Sequence, residues 1–522
     1  MRNSEGAQPA ALAREIFETL AELFPVCCAS DEFFYFPQVV GFERNWSSWD
    51  DFSDTSLQNL TGKLSGWQED LLSVSDPDMS REAVVDVSLL KHLCCTLGEQ
   101  LTDVAFHRSQ PTFYLSVANI GVAEAIGSGE KEALVERVST LSDFLVMGMD
   151  NLKVVPEVYR HRGVEMADGT REWFRALAQD GYSISPALDA VERFSDRLGK
   201  IPVKSDFRLP EEVLCRIVAK HMGCDMEVEE ILAEMGEEAS RMKEFVDESS
   251  NTISPGKTRQ EVYESIPRQP VGEGSFLSVF GKQIDELMAH CVAEKMVSIE
   301  LAQACPVTVA HVPKSLSAIR SADSYSAKPG HPPAGGTFYI FDEGNSERSA
   351  GGLHAEYRMT AAHETWPGHH LLDISRWSLK NSLRRPMERP LFYEGWACFA
   401  EQLMFETGYF SGRQDLLILA KRRMRHALRG TVDISLHTGR MDMTEAARTL
   451  LSAGYSRRLA EKTVLKYTLH PGYQACYTIG LRRFQSLYDR FGKDDISGFV
   501  RKVLAQGEIP FSDLEQVFTV ES

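Results

Sequence analysis

Apolar residues recur at helical spacing along most of this 522-residue chain, and this pattern constrains the fold more than any other feature. It predicts helices over residues 11–23, 86–101, 130–149, 186–198 and 211–235, joined by short segments rich in Gly and Pro. Two short β-branched and aromatic segments, residues 306–312 and 336–341, predict strands, and residues 321–335 between them predict a loop. The sequence therefore predicts a mainly α fold with a small β-sheet.

Residues 249–256, with the sequence Ser-Ser-Asn-Thr-Ile-Ser-Pro-Gly, have the most linker-like composition in the chain. They predict an N-terminal helical subdomain over residues 1–255. A C-terminal helical subdomain over residues 256–522 then holds the strands and the residues suited to chemistry. Because the segment is short, one continuous domain is the alternative.

The charge balance bears on possible partners. The chain has 56 Lys and Arg against 75 Asp and Glu, a net charge of -19. Nucleic acids are bound through basic patches, so this balance argues against a nucleic-acid partner. The chain has neither a signal-peptide pattern nor a run of 18 apolar residues, and its ten cysteines have no disulfide or zinc-knuckle spacing. We therefore expect a cytoplasmic protein with reduced thiols and no membrane partner.

The residues with the clearest chemistry form the run His363-Glu-Thr-Trp-Pro-Gly-His-His370. Zinc prefers imidazole nitrogen and carboxylate oxygen ligands, and a catalytic zinc site leaves one position for water. In the usual peptidase motif the second histidine lies four residues after the first, but here that position is Pro367. A catalytic Zn²⁺ site is predicted, provided that the helix departs from its regular path.

Pro367 lacks an amide hydrogen and Gly368 adds backbone freedom, so a widened or broken turn is expected after His363. In a straight helix His370 would stand about 10.5 Å along the axis from His363, at ~1.5 Å per residue. That separation is too large for both imidazoles to bind one ion. Two extra residues in the turn would bring His369 into place, so we prefer His369 as the ligand. His370 is then a supporting or substrate-facing group, or the alternative ligand.

The third ligand is expected from the helix that starts after Pro390. Glu394 and Glu401 lie seven residues apart, near one face of this helix and among aromatic residues. A carboxylate buried there needs a partner such as a metal. Glu394 is assigned as the ligand and Glu401 as the residue that orients a ligand, although the two roles could be exchanged.

Glu364 is the predicted general base, which activates water and passes the proton to the leaving nitrogen. The transition-state oxyanion needs an electrophile besides the metal, and Tyr477, Tyr473 and His470 are the candidates. Arg482 could bind a substrate carboxylate. The strand with Gly336, Thr337 and Tyr339 could pair with an extended substrate by strand addition.

Three motifs together resemble the bacterial domain-of-unknown-function 885 family. They are His-Glu-x-x-Pro-Gly-His at 363–369, Glu-Gly-Trp-Ala from Glu394 with Glu401 seven residues later, and Pro-Gly with a tyrosine and Ile-Gly at 471–480. The resemblance covers the C-terminal third. It implies a helical, metallopeptidase-like body related in layout to the gluzincin peptidases. The strands just before the His363 helix place the small sheet beside the expected active-site cleft. It also implies that His363, one histidine after Pro-Gly and Glu394 are ligands, with Glu364 as base.

The leading functional hypothesis is zinc-dependent hydrolysis of a peptide or other amide bond. The partner would be a peptide or a small amide-containing substrate. One alternative is a metal-dependent enzyme that acts on a specialised small-molecule metabolite. The other is a catalytically silent binding protein on the same scaffold, which the presence of Glu364 beside His363 disfavours.

Overall fold

The computed structural model describes residues 7–41, 45–74, 79–271, 276–341 and 352–519. The described chain is mainly helical with small sheets, as predicted. Contacts divide it into two compact units. The first comprises Met1–Leu209, Pro313–Ser321 and Asn381–Met387, and the second comprises Pro210–Val312, Ala322–Lys380 and Glu388–Ser522.

The first unit is built from eight α-helices and one short parallel strand pair in its described residues. The helices are α1 (Ala7–Leu23), α2 (Asp54–Ser73), α3 (Arg81–Glu99), α4 (Phe106–Ser109), α5 (Pro111–Ser128), α6 (Lys131–Asn151), α7 (Glu157–Gln179) and α8 (Ser185–Leu198). The strands are β1 (Val155–Pro156) and β2 (Val203–Lys204). Helix α5 begins with Pro111 in its first turn and packs against α6 and α7. Because most of its side chains are buried, α5 lies in the core of this unit.

The second unit begins with α9 (Glu211–Arg216), α10 (Val228–Ile253), α11 (Arg259–Glu264), α12 (Phe276–Ala293) and α13 (Ile299–Ala304). Its strands are β3 (Arg268–Gln269), β4 (Val307–His311), β5 (Ser324–Ala327), β6 (Gly336–Ile340) and β7 (Leu353–His354). Strand β6 lies between β4, to which it is parallel, and β5, to which it is antiparallel. Strands β3 and β7 form a separate antiparallel pair.

The remaining helices of the second unit include those that carry the candidate site. They are α14 (Tyr357–Glu364), α15 (His369–Ser378), α16 (Pro390–Glu406), α17 (Arg413–His437), α18 (Met443–Ser452), α19 (Arg457–Tyr467), α20 (Ala475–Phe491), α21 (Ile496–Leu504) and α22 (Phe511–Thr519). Helix α16 packs closely on α20, because Gly395 and Gly480 face each other and a Cβ on either would overlap the other's backbone. Helix α17 packs on both α10 and α20. Among the described helices, none combines the length and the apolar character that a membrane span requires.

Three sequence predictions need correction. Residues 211–235 are not one helix: a π-helix (Ile217–His221) follows α9, and the left-handed backbone of Gly223 and Asp225 then ends the helical path. Residues 249–256 are not a linker, because α10 continues to Ile253 and Ser250 is buried. Residues 321–335 are not wholly a loop, since β5 pairs with β6 there.

The main boundary between the compact units also differs from the predicted one. The first unit ends at Leu209, whereas the predicted boundary at 255–256 falls inside the second unit. Helix α10 packs along α17, and this contact places α10 with the helices of the candidate site.

Candidate metal site

The helix that contains His363 is broken where Pro367 and Gly368 predict it. Helix α14 ends at Glu364 and α15 begins at His369. Two backbone hydrogen bonds span six residues across the break, from Gly368 N to the Ala362 carbonyl (3.0 Å) and from Leu371 N to the Thr365 carbonyl (3.3 Å). A regular α-helix spans four residues, so the turn contains two extra residues. These bring the rings of His363 and His369 to 4.9 Å between centroids.

Gly368 is required at this break. A Cβ there would overlap the carbonyl oxygens of His363 and Ala362, so no other residue fits without moving the backbone. The break is also fixed to α16, because the indole nitrogen of Trp396 donates a hydrogen bond to the Pro367 carbonyl (2.9 Å). The position of His369 relative to α16 therefore depends on Pro367, Gly368 and Trp396 together.

His363, His369 and Glu394 meet in the interior of the second unit. Glu394 Oε2 lies 3.7 Å from His363 Nε2 and 3.6 Å from His369 Nε2, and all three residues are buried. Among the described residues, Glu394 Oε2 has no hydrogen-bond partner. Ligands of a tetrahedral zinc ion lie roughly 3.3–3.5 Å apart, given bond lengths of about 2.0–2.2 Å. The three atoms therefore fit a shared metal ion better than they fit direct hydrogen bonds.

Glu401 supports His363 from the opposite side. Its Oε1 lies 2.9 Å from His363 Nδ1. Arg422 donates to both oxygens of the same carboxylate, at 2.7 and 2.8 Å. When His363 Nδ1 donates to Glu401, its Nε2 is left as the nitrogen that can bind a metal. Glu394 is therefore the candidate ligand, and Glu401 is the carboxylate in a position to orient His363.

A second group of possible ligands contains His363, Cys398 and Glu401. Burial raises the pKa of the Cys398 thiol above its ordinary value, which disfavours the thiolate that binds metals. The Glu401 carboxylate is already held by Arg422 and His363. This group therefore fits a metal less well than His363, His369 and Glu394 do.

Tyr473 and Tyr477 contact the other oxygen of the candidate ligand. Both hydroxyls donate to Glu394 Oε1, at 2.7 and 2.6 Å. They hold the carboxylate so that Oε2 faces the two histidines. The sequence predicted these tyrosines as electrophiles, and in the structure their observed role is to position Glu394.

His370 is directed away from this group. Its Nδ1 lies 2.9 Å from the Tyr325 hydroxyl on β5, and its Nε2 lies 3.0 Å from the Cys305 carbonyl. Both ring nitrogens are therefore engaged in the packing of the sheet against α15. His369 instead stacks on Tyr393, with ring centroids 4.0 Å apart, and its Nε2 faces Glu394.

The site concentrates negative charge. Burial alone raises the pKa of Glu394, but His363 and His369 outweigh it and hold this pKa well below its ordinary value. Burial alone lowers the pKa of His363, but Cys398, Glu394 and Glu401 raise it well above its ordinary value. Both directions show that the carboxylates around His363 favour a positive charge between them. A bound cation would supply that charge.

Glu364 lies at the last turn of α14, next to His363, and is only partly exposed. Burial raises the pKa of its carboxyl above the ordinary value, while the nearby His363 and His369 lower it. A raised carboxyl pKa suits a residue that must accept and then donate a proton. The structure thus keeps Glu364 beside the candidate ligands.

The predicted substrate strand has no unpaired edge. Strand β6 contains Gly336, Thr337 and Tyr339, and it is bonded to β4 on one side and β5 on the other. Strand addition at β6 is therefore wrong, because its backbone groups on both sides are used within the sheet. Gly336 is needed for the sheet itself, since a Cβ there would overlap the Tyr325 side chain.

Two other predicted residues lie apart from the buried group. His470 is exposed. Arg482 is paired with Glu234 (3.2 Å) and Glu237 (2.9 Å) of α10, so its charge is matched within the unit. The ion pairs of Arg482 give no support to its predicted role in substrate binding, and the predicted role of His470 stays a prediction.

Several residues that surround the site were not predicted from the sequence, chiefly Arg422, His426 and Arg429 of α17 and Tyr393 of α16. One signal for the first three was present. In α17, basic residues alternate with buried apolar residues, which include Met424 and Ala427. Arginines within such a helix must find partners in the interior.

The fold and the site together define a mainly helical protein with a candidate transition-metal site of two histidines and one glutamate. A family model described as "Bacterial protein of unknown function (DUF885)" matches residues 38–518, and the chain belongs to this family. No curated protein matches the chain.

Two solved structures have a similar fold. One is a candidate lipoprotein of unknown function from Shewanella oneidensis, with a TM-score of 0.78 and 18% identity over 98% of this chain and 100% of that one. The other is a candidate lipoprotein from Colwellia psychrerythraea, with a TM-score of 0.80 and 16% identity over 99% of each chain. At such low identity, the likeness concerns the fold alone.

Proposed function

We propose that this protein is a zinc-dependent hydrolase of peptide or other amide bonds, with the gluzincin-like layout that the motifs imply. The observation that carries the proposal is the buried Glu394 Oε2, which has no hydrogen-bond partner among the described residues and faces the Nε2 atoms of His363 and His369. A buried carboxylate oxygen without a donor is costly unless a cation binds it.

His363, His369 and Glu394 would hold the ion. When bound, zinc supplies a Lewis acid that polarises the amide carbonyl and lowers the pKa of a water molecule towards ~7. Glu364 accepts the proton of the attacking water and delivers it to the leaving nitrogen. Glu401 keeps His363 in the tautomer whose Nε2 is available, and Tyr473 and Tyr477 hold Glu394 in register.

The first test is metal analysis combined with digestion of a peptide library, read by mass spectrometry. We expect about one zinc per chain, and cleavage that a chelator abolishes and added zinc restores. Glu364→Gln is the matched control, because it should retain zinc but lose at least ~100-fold in turnover, within the usual contribution of acid–base catalysis of about 10²–10⁴.

Three outcomes would contradict the proposal. If the protein binds no zinc, the metal site is rejected. If Glu364→Gln leaves turnover unchanged, Glu364 is not the general base. Zinc binding without cleavage of any library peptide would favour the alternative of an enzyme for a specialised metabolite.

A further inference from the structure

Helix α17 begins at Arg413 and contains four further arginines, at positions 422, 423, 425 and 429, which differ in their partners. Arg422 pairs with Glu401, Arg423 with Glu238 and Arg425 with Glu356. Arg429 is bonded to the Tyr467 hydroxyl, the Gln474 side-chain oxygen and His426. Among the described residues, no carboxylate lies within ion-pair distance of Arg429, so it differs from its three neighbours.

A half-buried guanidinium without a direct ion pair is unfavourable, because its charge is partly removed from water. Asp433 lies one turn further along α17, but its two oxygens accept from the backbone nitrogens of Gly472 (3.2 Å) and Gln474 (2.9 Å). Arg429 packs on the ring of Tyr477, whose hydroxyl donates to Glu394, but Arg429 forms no ion pair with Glu394. The protein therefore does not supply a direct anionic partner for this residue.

The hydrogen bonds of Arg429 leave some N–H donors of its guanidinium group available. Its Nε donates to Tyr467 (2.8 Å) and Gln474 (3.0 Å), one Nη donates to Gln474, and the other lies 3.4 Å from His426 Nδ1. A guanidinium has five N–H donors. One donor on each terminal nitrogen thus remains, which is the arrangement that binds a carboxylate in bidentate fashion.

His426 supplies an independent sign of a missing ligand. When its Nδ1 accepts from Arg429, the proton lies on Nε2. His426 is 7% exposed, and its Nε2 has no hydrogen-bond partner among the described residues. A buried donor without an acceptor, next to a cation without an anion, indicates that an anionic ligand binds here.

The two residues lie next to the candidate metal site. The Arg429 guanidinium carbon is 4.6 Å from the ring centroid of Tyr477, and the Tyr477 hydroxyl is 2.6 Å from Glu394 Oε1. The ring of His426 stacks on Tyr477 at 4.9 Å. Arg429 and the candidate ligand Glu394 therefore contact the same tyrosine, so a carboxylate bound at Arg429 would lie within a few residues of the metal site, at about 3.3–3.6 Å per residue of extended peptide.

We infer that Arg429, together with His426, binds a free carboxylate of the substrate. This inference rests on the proposed function and specifies its substrate class: short peptides or N-acyl amino acids whose α-carboxylate lies within a few residues of the scissile amide. The site then removes residues from the carboxyl end of its substrates. An acidic side chain at the same distance offers the same chemistry, and the experiment distinguishes the two sources.

The test is calorimetric titration of the zinc-loaded protein in the Glu364→Gln background, which slows turnover so that binding is measured. The probes are N-acetyl-Ala-Ala-Ala, its C-terminal amide, and N-acetyl-Ala-Ala-Asp amide. We expect the free acid to bind at least tenfold more tightly than its amide, and Arg429→Gln to remove that difference while zinc content stays the same. If the Asp-containing amide binds as tightly as the free acid, the carboxylate belongs to a side chain.

Two further variants make the result specific. Arg440→Gln is the matched control, because Arg440 is exposed and pairs with Glu229, and it should keep the acid preference. Arg429→Lys retains the charge without the fork, should give an intermediate preference, and serves as the test if Arg429→Gln fails to fold.

The inference is overturned if the acid and both amides bind equally, if none binds, or if Arg429→Gln keeps the preference. It is also overturned if Arg482→Gln, rather than Arg429→Gln, abolishes the preference. The proposed function can fail separately: a clear acid preference in binding, without hydrolysis by the unmodified protein, would retain the carboxylate site and reject the peptidase.

Discussion

Glu394 and Glu401 lie two turns apart on α16 and are both buried, yet their surroundings differ. Glu401 accepts two hydrogen bonds from Arg422 and lies within hydrogen-bond distance of His363 Nδ1. Glu394 receives two tyrosine hydroxyls on one oxygen, while the other oxygen faces two imidazoles without a donor. The protein thus supplies Glu401 with a guanidinium partner, whereas one oxygen of Glu394 has no hydrogen-bond donor among the described residues and is available to a cation. Two glutamates on one helix face can therefore have different roles, because other helices supply them with different partners.

The largest expected effect is that of Glu394→Gln on zinc binding. Tyr473 and Tyr477 select the amide oxygen of the new side chain, so its NH₂ group faces the ion and repels it. Zinc binding free energies of about 10–16 kcal/mol, divided over four ligands, predict a loss of roughly 10²–10³-fold in affinity. Competition with a chromophoric chelator measures the zinc affinity of this variant. An unchanged affinity would show that Glu394 is not a ligand.

His369→Ala and His370→Ala sharpen the comparison at the neighbouring histidines. His369→Ala should lose zinc affinity by a similar factor of roughly 10²–10³, because it removes a ligand. His370→Ala should keep its zinc affinity. It should instead lower the free energy of unfolding by about 1–3 kcal/mol, since Tyr325 and the Cys305 carbonyl lose a buried partner. The reverse pattern would assign His370 as the ligand.

Glu401→Gln should reduce zinc affinity by only about 10–100-fold, the usual effect of a residue that orients a metal-bound histidine. The same chelator competition measures this reduction. Arg422→Gln is the control, because it leaves Glu401 in contact with His363 and should have a smaller effect. If Glu401→Gln weakened zinc binding more than Glu394→Gln, the two roles would be exchanged.

The smallest effect concerns acid stability. Burial raises the pKa of Glu401, but the Arg422 charge outweighs burial and holds this pKa at about 2. A carboxyl whose pKa is lower in the folded than in the unfolded protein stabilises above its unfolded pKa and loses that contribution as the pH falls. The melting temperature of Glu401→Gln should therefore lie a few degrees below that of the unmodified protein at about pH 6, and the gap should narrow towards about pH 3. A gap that widens in acid would contradict the ion pair.

Features that depend only on residues close together in the sequence were predictable from it. The helical regions, strands β4 and β6 and the break after His363 follow from local periodicity and from the backbone limits of Pro367 and Gly368. Strand β5 was missed because Ser324–Ala327 is short and weakly patterned, and only its pairing with β6 makes it a strand. With β5 on one side and β4 on the other, β6 has no free edge for the predicted substrate pairing.

The residues around the candidate site show where local information ends. The sequence singled out Arg482 for carboxylate binding, but α10 supplies two glutamates that already match its charge. No role was predicted for Arg429, although no glutamate or aspartate in the described residues pairs with it. A charge pattern along one helix does not reveal the charges that other helices bring to it.

The sequence by itself determined that this is a mainly helical chain with a His-Glu helix interrupted by Pro-Gly, and it supplied every residue of the candidate metal site. Only the tertiary structure decided that His369 rather than His370 faces Glu394, and that Glu401 is held by Arg422. Helix breaks arise from the covalent geometry of a few consecutive residues. The role of a buried carboxylate or imidazole depends instead on which distant groups compensate its charge, and those groups are brought together only by folding.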